Sequence, residues 1–278
     1  SIGFGHFSSL GYVLSGLVGK VVGKNSKSTE KINFPKGLGF LRDSSVTIAL
    51  TMIILYVIIA LFAGPSYIEK ELSGGTDYLV FSLIQAVKFA AGVFVILSGV
   101  RLVLAEIVPA FKGISTRLVP NSKPALDCPI VFPYAPNAVL IGFFCSFLGG
   151  IVGMVILGFT GAIIILPGVV PHFFTGATAG VFGNSTGGIR GATIGSFANG
   201  LLITFLPVFL MPVLGDLGFA STTFSDADFA ASGIVLGNIA HSLGSTGVTV
   251  TVVALVLVAL GFGFFKKGKA DQSTQIGA

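Results

Sequence analysis

One carboxylate in this sequence stands where a carboxylate is hard to accommodate. Residues 120–137 read Pro-Asn-Ser-Lys-Pro-Ala-Leu-Asp-Cys-Pro-Ile-Val-Phe-Pro-Tyr-Ala-Pro-Asn, five prolines in eighteen positions. Proline removes backbone donors and clashes with the preceding turn, so no regular helix is expected there. From Ala125 onward the stretch is largely apolar, and apolar but non-helical backbone lies at membrane depth only where protein or a water-filled cavity satisfies its polar groups. The stretch therefore reads as a re-entrant hairpin with Asp127 near its tip or arm. A charged side chain at such depth costs roughly 2.5–3.5 kcal/mol on insertion scales and normally faces a cavity or a partner. Asp127 is thus a candidate contact for a polar solute. Its plainer role is a helix cap or loop-ordering group, since aspartate ahead of an apolar run also suits an N-cap.

A second interruption follows at Pro167-Gly-Val-Val-Pro-His-Phe-Phe-Thr-Gly-Ala-Thr-Ala-Gly180, which combines proline breaks with hydroxyls and His172. Backbone groups freed at such a break are suited to a polyol. The following Gly183-Asn-Ser-Thr-Gly-Gly188 lacks the Gly-x-x-x-x-Gly-Lys-Ser/Thr order of a phosphate loop and reads as a cytoplasmic turn. His6 and His241 are the other histidines, and nothing in the spacing suggests a metal triad. Cys128 and Cys145 show no Cys-x-x-Cys or Cys/His pattern, so neither a metal site nor a disulfide framework is expected. Within one long apolar stretch Arg101 reads as a snorkelling residue and Glu106 as locally paired or interfacial, with Lys88 deeper in the same stretch. No nucleophile–base pair, metal cluster or nucleotide loop of credible spacing appears, so a soluble-type enzyme is the poorest fit and no cofactor is expected.

The elements that position these groups belong to a membrane protein. Hydrophobic residues make up 53% of the 278 and charged ones 10%, with a mean hydropathy of +0.95, more apolar side chain than one water-soluble core of this size can hide. Thirty-nine glycines suit close helix packing in lipid. Windows able to cross about 30 Å of hydrocarbon number six: 46–63, 79–108, 138–160, 163–182, 192–214 and 248–265, the fourth broken near its start by Pro167, Gly168 and Pro171. The expected class is all-α, with about six transmembrane helices and re-entrant segments.

With both ends on one side, that side collects Lys20, Lys24, Lys27, Lys31, Lys36, Arg42, Lys112, Arg117, Lys123, Arg190, Lys266, Lys267 and Lys269. The opposite loops hold Glu69, Glu71, Asp77, Asp216, Asp226 and Asp228 with Lys70, so the basic side is expected to be cytoplasmic. The net charge of +5 is accounted for in this way and nucleic acid is set aside. Residues 20–40 read as a cytoplasmic connector or surface helix. Nothing at Ser1 reads as a signal peptide, and the chain reads as a fragment.

The run Gly99-Val-Arg-Leu-Val-Leu-Ala-Glu-Ile-Val-Pro-Ala-Phe-Lys-Gly-Ile-Ser-Thr-Arg-Leu-Val-Pro120, continued by Ala125-Leu-Asp-Cys-Pro and Ala135-Pro-Asn-Ala-Val139, resembles the ascorbate-specific membrane component, IIC, of the bacterial phosphotransferase system. Ser1 to His6 and Pro167 to Phe182 look like that family too. The resemblance implies the second half of a homodimeric inner-membrane permease, in which a core domain holding the sugar moves against a V-shaped dimerisation domain. On that pattern residues 1–45 are the end of a preceding segment and a connector, 46–120 belong to the V-shaped domain, and 121–278 are the core. The resemblance also implies that Asp127 contacts the substrate and is the candidate base, that His6 is a substrate-site histidine, and that Phe173, Phe174 and Thr175 close the pocket. It implies further a cytoplasmic IIB partner whose phosphocysteine supplies the phosphoryl group, so that the chemistry belongs to the partner. Two rivals stay open: an ion- or proton-coupled secondary transporter of a small polar solute, and an assembly subunit without a pocket, in which protein caps Asp127 and His172.

Overall fold

The computed structural model describes residues 3–4, 8–32, 37, 44–118, 125–126, 128–223 and 225–276. Apart from one two-residue ladder, regular structure among them is helical. Helix α1 spans Ser9–Val22, α2 Ser44–Ala63, α3 Tyr78–Arg117, α4 Pro136–Thr160, α5 Ala177–Asp216 and α6 Ala227–Ile276. Five described helical stretches are long and apolar enough to cross a membrane: Val46–Ala63, Tyr78–Ile96, Pro136–Thr160, Val169–Asp216 and Ala227–Gly261. The chain is an integral membrane protein of all-α class.

Five replaces the six expected windows because the fourth and fifth run into one another. Helical backbone continues from Val169 through Asp216 and is interrupted inside α5 only at Gly187 (φ −141°, ψ 15°) and Gly188 (φ 56°, ψ −145°). Gly188 adopts the left-handed φ that side chains disfavour, and a Cβ there would lie 2.4 Å from the Lys27 carbonyl oxygen. The last window is likewise the far part of a longer element, α6, broken at Gly244.

The structure divides into two compact units, Ser1–Val208 with Phe224–Asp228, and Phe209–Thr223 with Phe229–Ala278. In the second, a Cβ on Gly233 would lie 2.8 Å from Leu210 Cδ1, and one on Gly237 2.1 Å from Val213 Cγ1.

In the first unit α2 and α3 form a hairpin. Asp77 opens α3 by accepting from the Leu79 and Val80 amides at 2.9 and 3.2 Å, the role expected of an N-cap carboxylate. Ile48 and Met52 of α2 and Ala86 and Val93 of α3 pack with Phe143 of α4, Val169 and Phe173 into one buried cluster. Helix α1 is a 14-residue element not foreseen as a separate helix. Its first amides, on Ser9 and Leu10, donate to the Asp228 carboxylate at 3.0 and 2.9 Å. Its buried face carries Gly11, Tyr12, Ser15 and Gly19, which lie against both arms of α5.

The charged connector is packed rather than loose over its described part. Thr29 is fully buried, and its amide donates to Asn184 Oδ1 at 2.9 Å. Glu30 Oε1 accepts from the amides of Asn137 and Ala138 at 3.0 and 3.1 Å, capping α4 from more than a hundred residues away. The Asn137 side chain answers by donating to the carbonyls of Thr29 and Ile32, each at 3.1 Å.

Candidate functional site

The two proline-rich interruptions meet. Cys128–Tyr134 forms a 3-10 turn, because Pro129 and Pro133 deny the chain an α-helical hydrogen-bond ladder. Val169–Pro171 and the wide turn His172–Gly176 lead into α5. The Cys128 thiol donates to the Phe174 carbonyl at 3.8 Å. Phe132 meets the Phe173 ring edge-on at 5.9 Å, and Phe143 covers it at 5.3 Å.

Directly upstream of Cys128, Ala125 and Leu126 pair in parallel with Gly3 and Phe4. That ladder sets side by side the two stretches whose sequence neighbours are Asp127 and His6. Asp127 and His6 themselves lie outside the described residues. Of the three candidate closure residues, Phe173 and Thr175 are buried within protein and Phe174 is half-buried. Thr175 is further held by its own hydroxyl, which donates to the Pro171 carbonyl at 2.9 Å.

Beneath this turn lies a polar cluster that the sequence reading missed in two of its four members. His172 Nδ1 is 2.9 Å from Ser146 Oγ. Asn199 Nδ2 is 3.3 Å from Ser146 Oγ and 3.3 Å from Thr175 Oγ1. All four residues are at most 2% exposed. The proton directions follow from one end: Thr175 has given its hydroxyl proton to Pro171, so it accepts from the Asn199 amide. The second amide proton goes to Ser146, whose Oγ shares a further hydrogen bond with His172 Nδ1. The other ring nitrogen, Nε2, is the one that a Cβ on Gly150 would approach to 2.4 Å. Among the described residues Asn199 Oδ1 has no hydrogen-bond partner, and it faces Gly11, where a Cβ would come within 1.9 Å of it.

The cluster clamps α4, the wide turn and α5 together at a depth where water supplies no substitute. It also means that protein caps His172. Ser146 and Asn199 carried one sequence signal, an isolated polar side chain in an apolar span, which implies a partner without naming it. Asn199→Leu removes both amide donors and strands the Ser146 and Thr175 oxygens. The expected loss is about 1–3 kcal/mol of stability, read as an earlier melt in detergent followed by a thiol-reactive dye at buried Cys128. An unchanged melting temperature would deny the clamp.

Residues 1–228 match the family model EIIC-GAT, the PTS system sugar-specific permease component. The chain belongs to this family. Among curated proteins it is similar to the ascorbate-specific PTS system EIIC component of Mycoplasma pneumoniae, 26% identical over 211 residues. That match covers 66% of this chain and 32% of the relative, so the chain spans about a third of the relative's length. The resemblance expected from residues 99–139 and the family assignment agree.

Proposed function

We propose that the chain forms the sugar-holding part of a phosphotransferase-system permease, which binds ascorbate or a related sugar acid and carries it across the inner membrane for phosphorylation by a cytoplasmic IIB partner. The observation that carries this reading is the convergence of three stretches on one place: the strand flanking His6, the strand and turn flanking Asp127, and the wide turn bearing Phe174. An assembly subunit has no need to bring these three stretches together.

In the proposed reaction a substrate hydroxyl oxygen forms a bond to phosphorus as the sulfur–phosphorus bond of the partner's phosphocysteine breaks. The thiolate leaves with the electron pair, and Asp127 takes the hydroxyl proton, a general-base role requiring contact at about 3 Å. His6 and Phe174 bind the sugar; Phe173 and Thr175 shape the turn that closes over it. Residues 46–120 serve as the dimerisation arm and 121–278 as the core, with residues 1–45 as the approach to them. The exposed apolar faces of α2 and α3, including Ile54, Ile58, Val87 and Val95, suit lipid and a second copy in a homodimer. The unequal division of Lys and Arg supports placing both ends of this chain in the cytoplasm.

The deciding experiment is uptake of labelled ascorbate by membrane vesicles carrying the chain, with and without phosphorylated IIB. The expected product is ascorbate phosphate, formed only when IIB is present. Accumulation of unmodified ascorbate without IIB would make the chain an ion-coupled transporter instead, and absence of both uptake and binding would remove the sugar assignment.

A further inference from the structure

We infer that the strap of residues 20–31, together with Arg190, is the surface on which the phosphorylated IIB component docks; the inference rests on the permease reading above. Lys20, Lys24, Lys27, Lys31 and Arg190 are all exposed. Glu30 is the lone acidic residue in 20–32, and none occurs in 184–195. Its carboxylate is turned to the first amides of α4. Among the described residues, none of the five cations has an ion-pair partner. The patch thus presents uncompensated positive charge.

Orientation in the membrane requires only that such charge exist on one side; it places no demand on order. Here the backbone beneath the charges is fastened at each step. The Ile189 amide donates to the Lys27 carbonyl at 2.8 Å, the Arg190 amide to Ser26 Oγ at 3.2 Å, the Thr29 amide to Asn184 Oδ1 at 2.9 Å, and Asn184 Nδ2 to Ser28 Oγ at 3.3 Å. Gly23 and Gly187 touch so closely that a Cβ on Gly23 would lie 2.0 Å from the Gly187 Cα. Cations held on a fixed frame lose little freedom when an anionic surface meets them, which favours recognition over mere attraction.

Position also favours the phosphoryl donor as occupant. Glu30 and Asn137 join the strap to the start of α4, and about ten residues upstream Leu126 belongs to the ladder and Cys128 makes the contact with Phe174. A partner seated on the strap is therefore tied through one short segment to the proposed sugar site. A phosphoryl group adds up to about two negative charges, so the phosphorylated partner should bind more tightly than the unphosphorylated one.

The test uses the full chain in vesicles and the variants Lys24→Gln, Lys27→Gln and Arg190→Gln, singly and combined. For the triple variant the concentration of phosphorylated IIB giving half-maximal ascorbate phosphorylation should rise on the order of tenfold, with a flatter salt dependence. Ascorbate binding without IIB should be unchanged. Cosedimentation of phosphorylated and unphosphorylated IIB with the vesicles reads docking directly, even for a different sugar, and the single variants serve if the triple one fails to insert. Unchanged half-saturation and cosedimentation at normal membrane levels would overturn the inference. So would a loss confined to dependence on anionic lipid, which would assign the strap to headgroups. Wild-type vesicles that bind IIB but neither bind nor phosphorylate sugar would instead count against the permease reading.

Discussion

Asp127→Asn is expected to lower IIB-dependent phosphorylation of the sugar by about 10²–10⁴-fold, the usual contribution of a positioned general base, while ascorbate affinity changes only severalfold. Asparagine keeps the size of the side chain and one oxygen acceptor, so a hydrogen bond to the sugar survives. What it loses is the ability to take a proton from the attacked hydroxyl. At the depth proposed for Asp127 an ionised carboxylate is costly to hold, so the variant should insert at least as well as the parent. The measurement is a paired one: equilibrium binding of labelled ascorbate in the absence of IIB, and initial rates of phosphorylation at saturating IIB. Full phosphorylation with unchanged affinity would eliminate the base role. Joint loss of affinity and rate would make Asp127 a binding residue alone.

The second large effect concerns the crossing of α4 and α5. A Cβ on Gly142 would lie 2.5 Å from the Gly176 carbonyl oxygen and 2.8 Å from the Gly180 Cα, and one on Gly180 would lie 2.4 Å from the Ala138 carbonyl oxygen. Both sides of the contact are backbone, so no side chain can swing away to make room. Gly142→Val should therefore separate the two helices and pull the wide turn from Ser146 and Asn199. The cost is expected to be at least about 3 kcal/mol, the upper end of overpacking penalties, seen as loss of folded protein or early labelling of Cys128 by a thiol dye. Gly92→Ala on α3 is the internal control, since a Cβ there meets nothing within 4 Å among the described residues. It should be neutral or stabilising by about 0.5–1 kcal/mol. A Gly142→Val protein that melts with the parent would show that the crossing is not as tight as these distances make it.

Much of this molecule was legible in the order of its residues. Membrane residence, the bounds of α2 and α4 within a few positions, and the failure of Cys128–Tyr134 to form an α-helix all follow from runs of apolar side chains and from proline, both local properties. The family likeness was carried by residues 99–139, again a continuous stretch. Hydropathy also marked the fourth and fifth windows, yet it could not show that they form one broken element, because Gly187 and Gly188 are as compatible with a loop as with a kink.

Tertiary structure alone decided the pairings between distant residues. Asp228 closes α1, Glu30 closes α4, and Gly3–Phe4 finds Ala125–Leu126, contacts between groups separated by more than a hundred positions that leave no periodic trace in either segment. The same holds for Ser146, His172, Thr175 and Asn199: each announces a need for a hydrogen-bond partner, but only the meeting of α4, the wide turn and α5 lets the four bond to one another. Composition fixes which solvent the chain must enter, since that depends on the sum of its side chains. Packing fixes which buried polar groups remain available to a guest, since that depends on what has already claimed them.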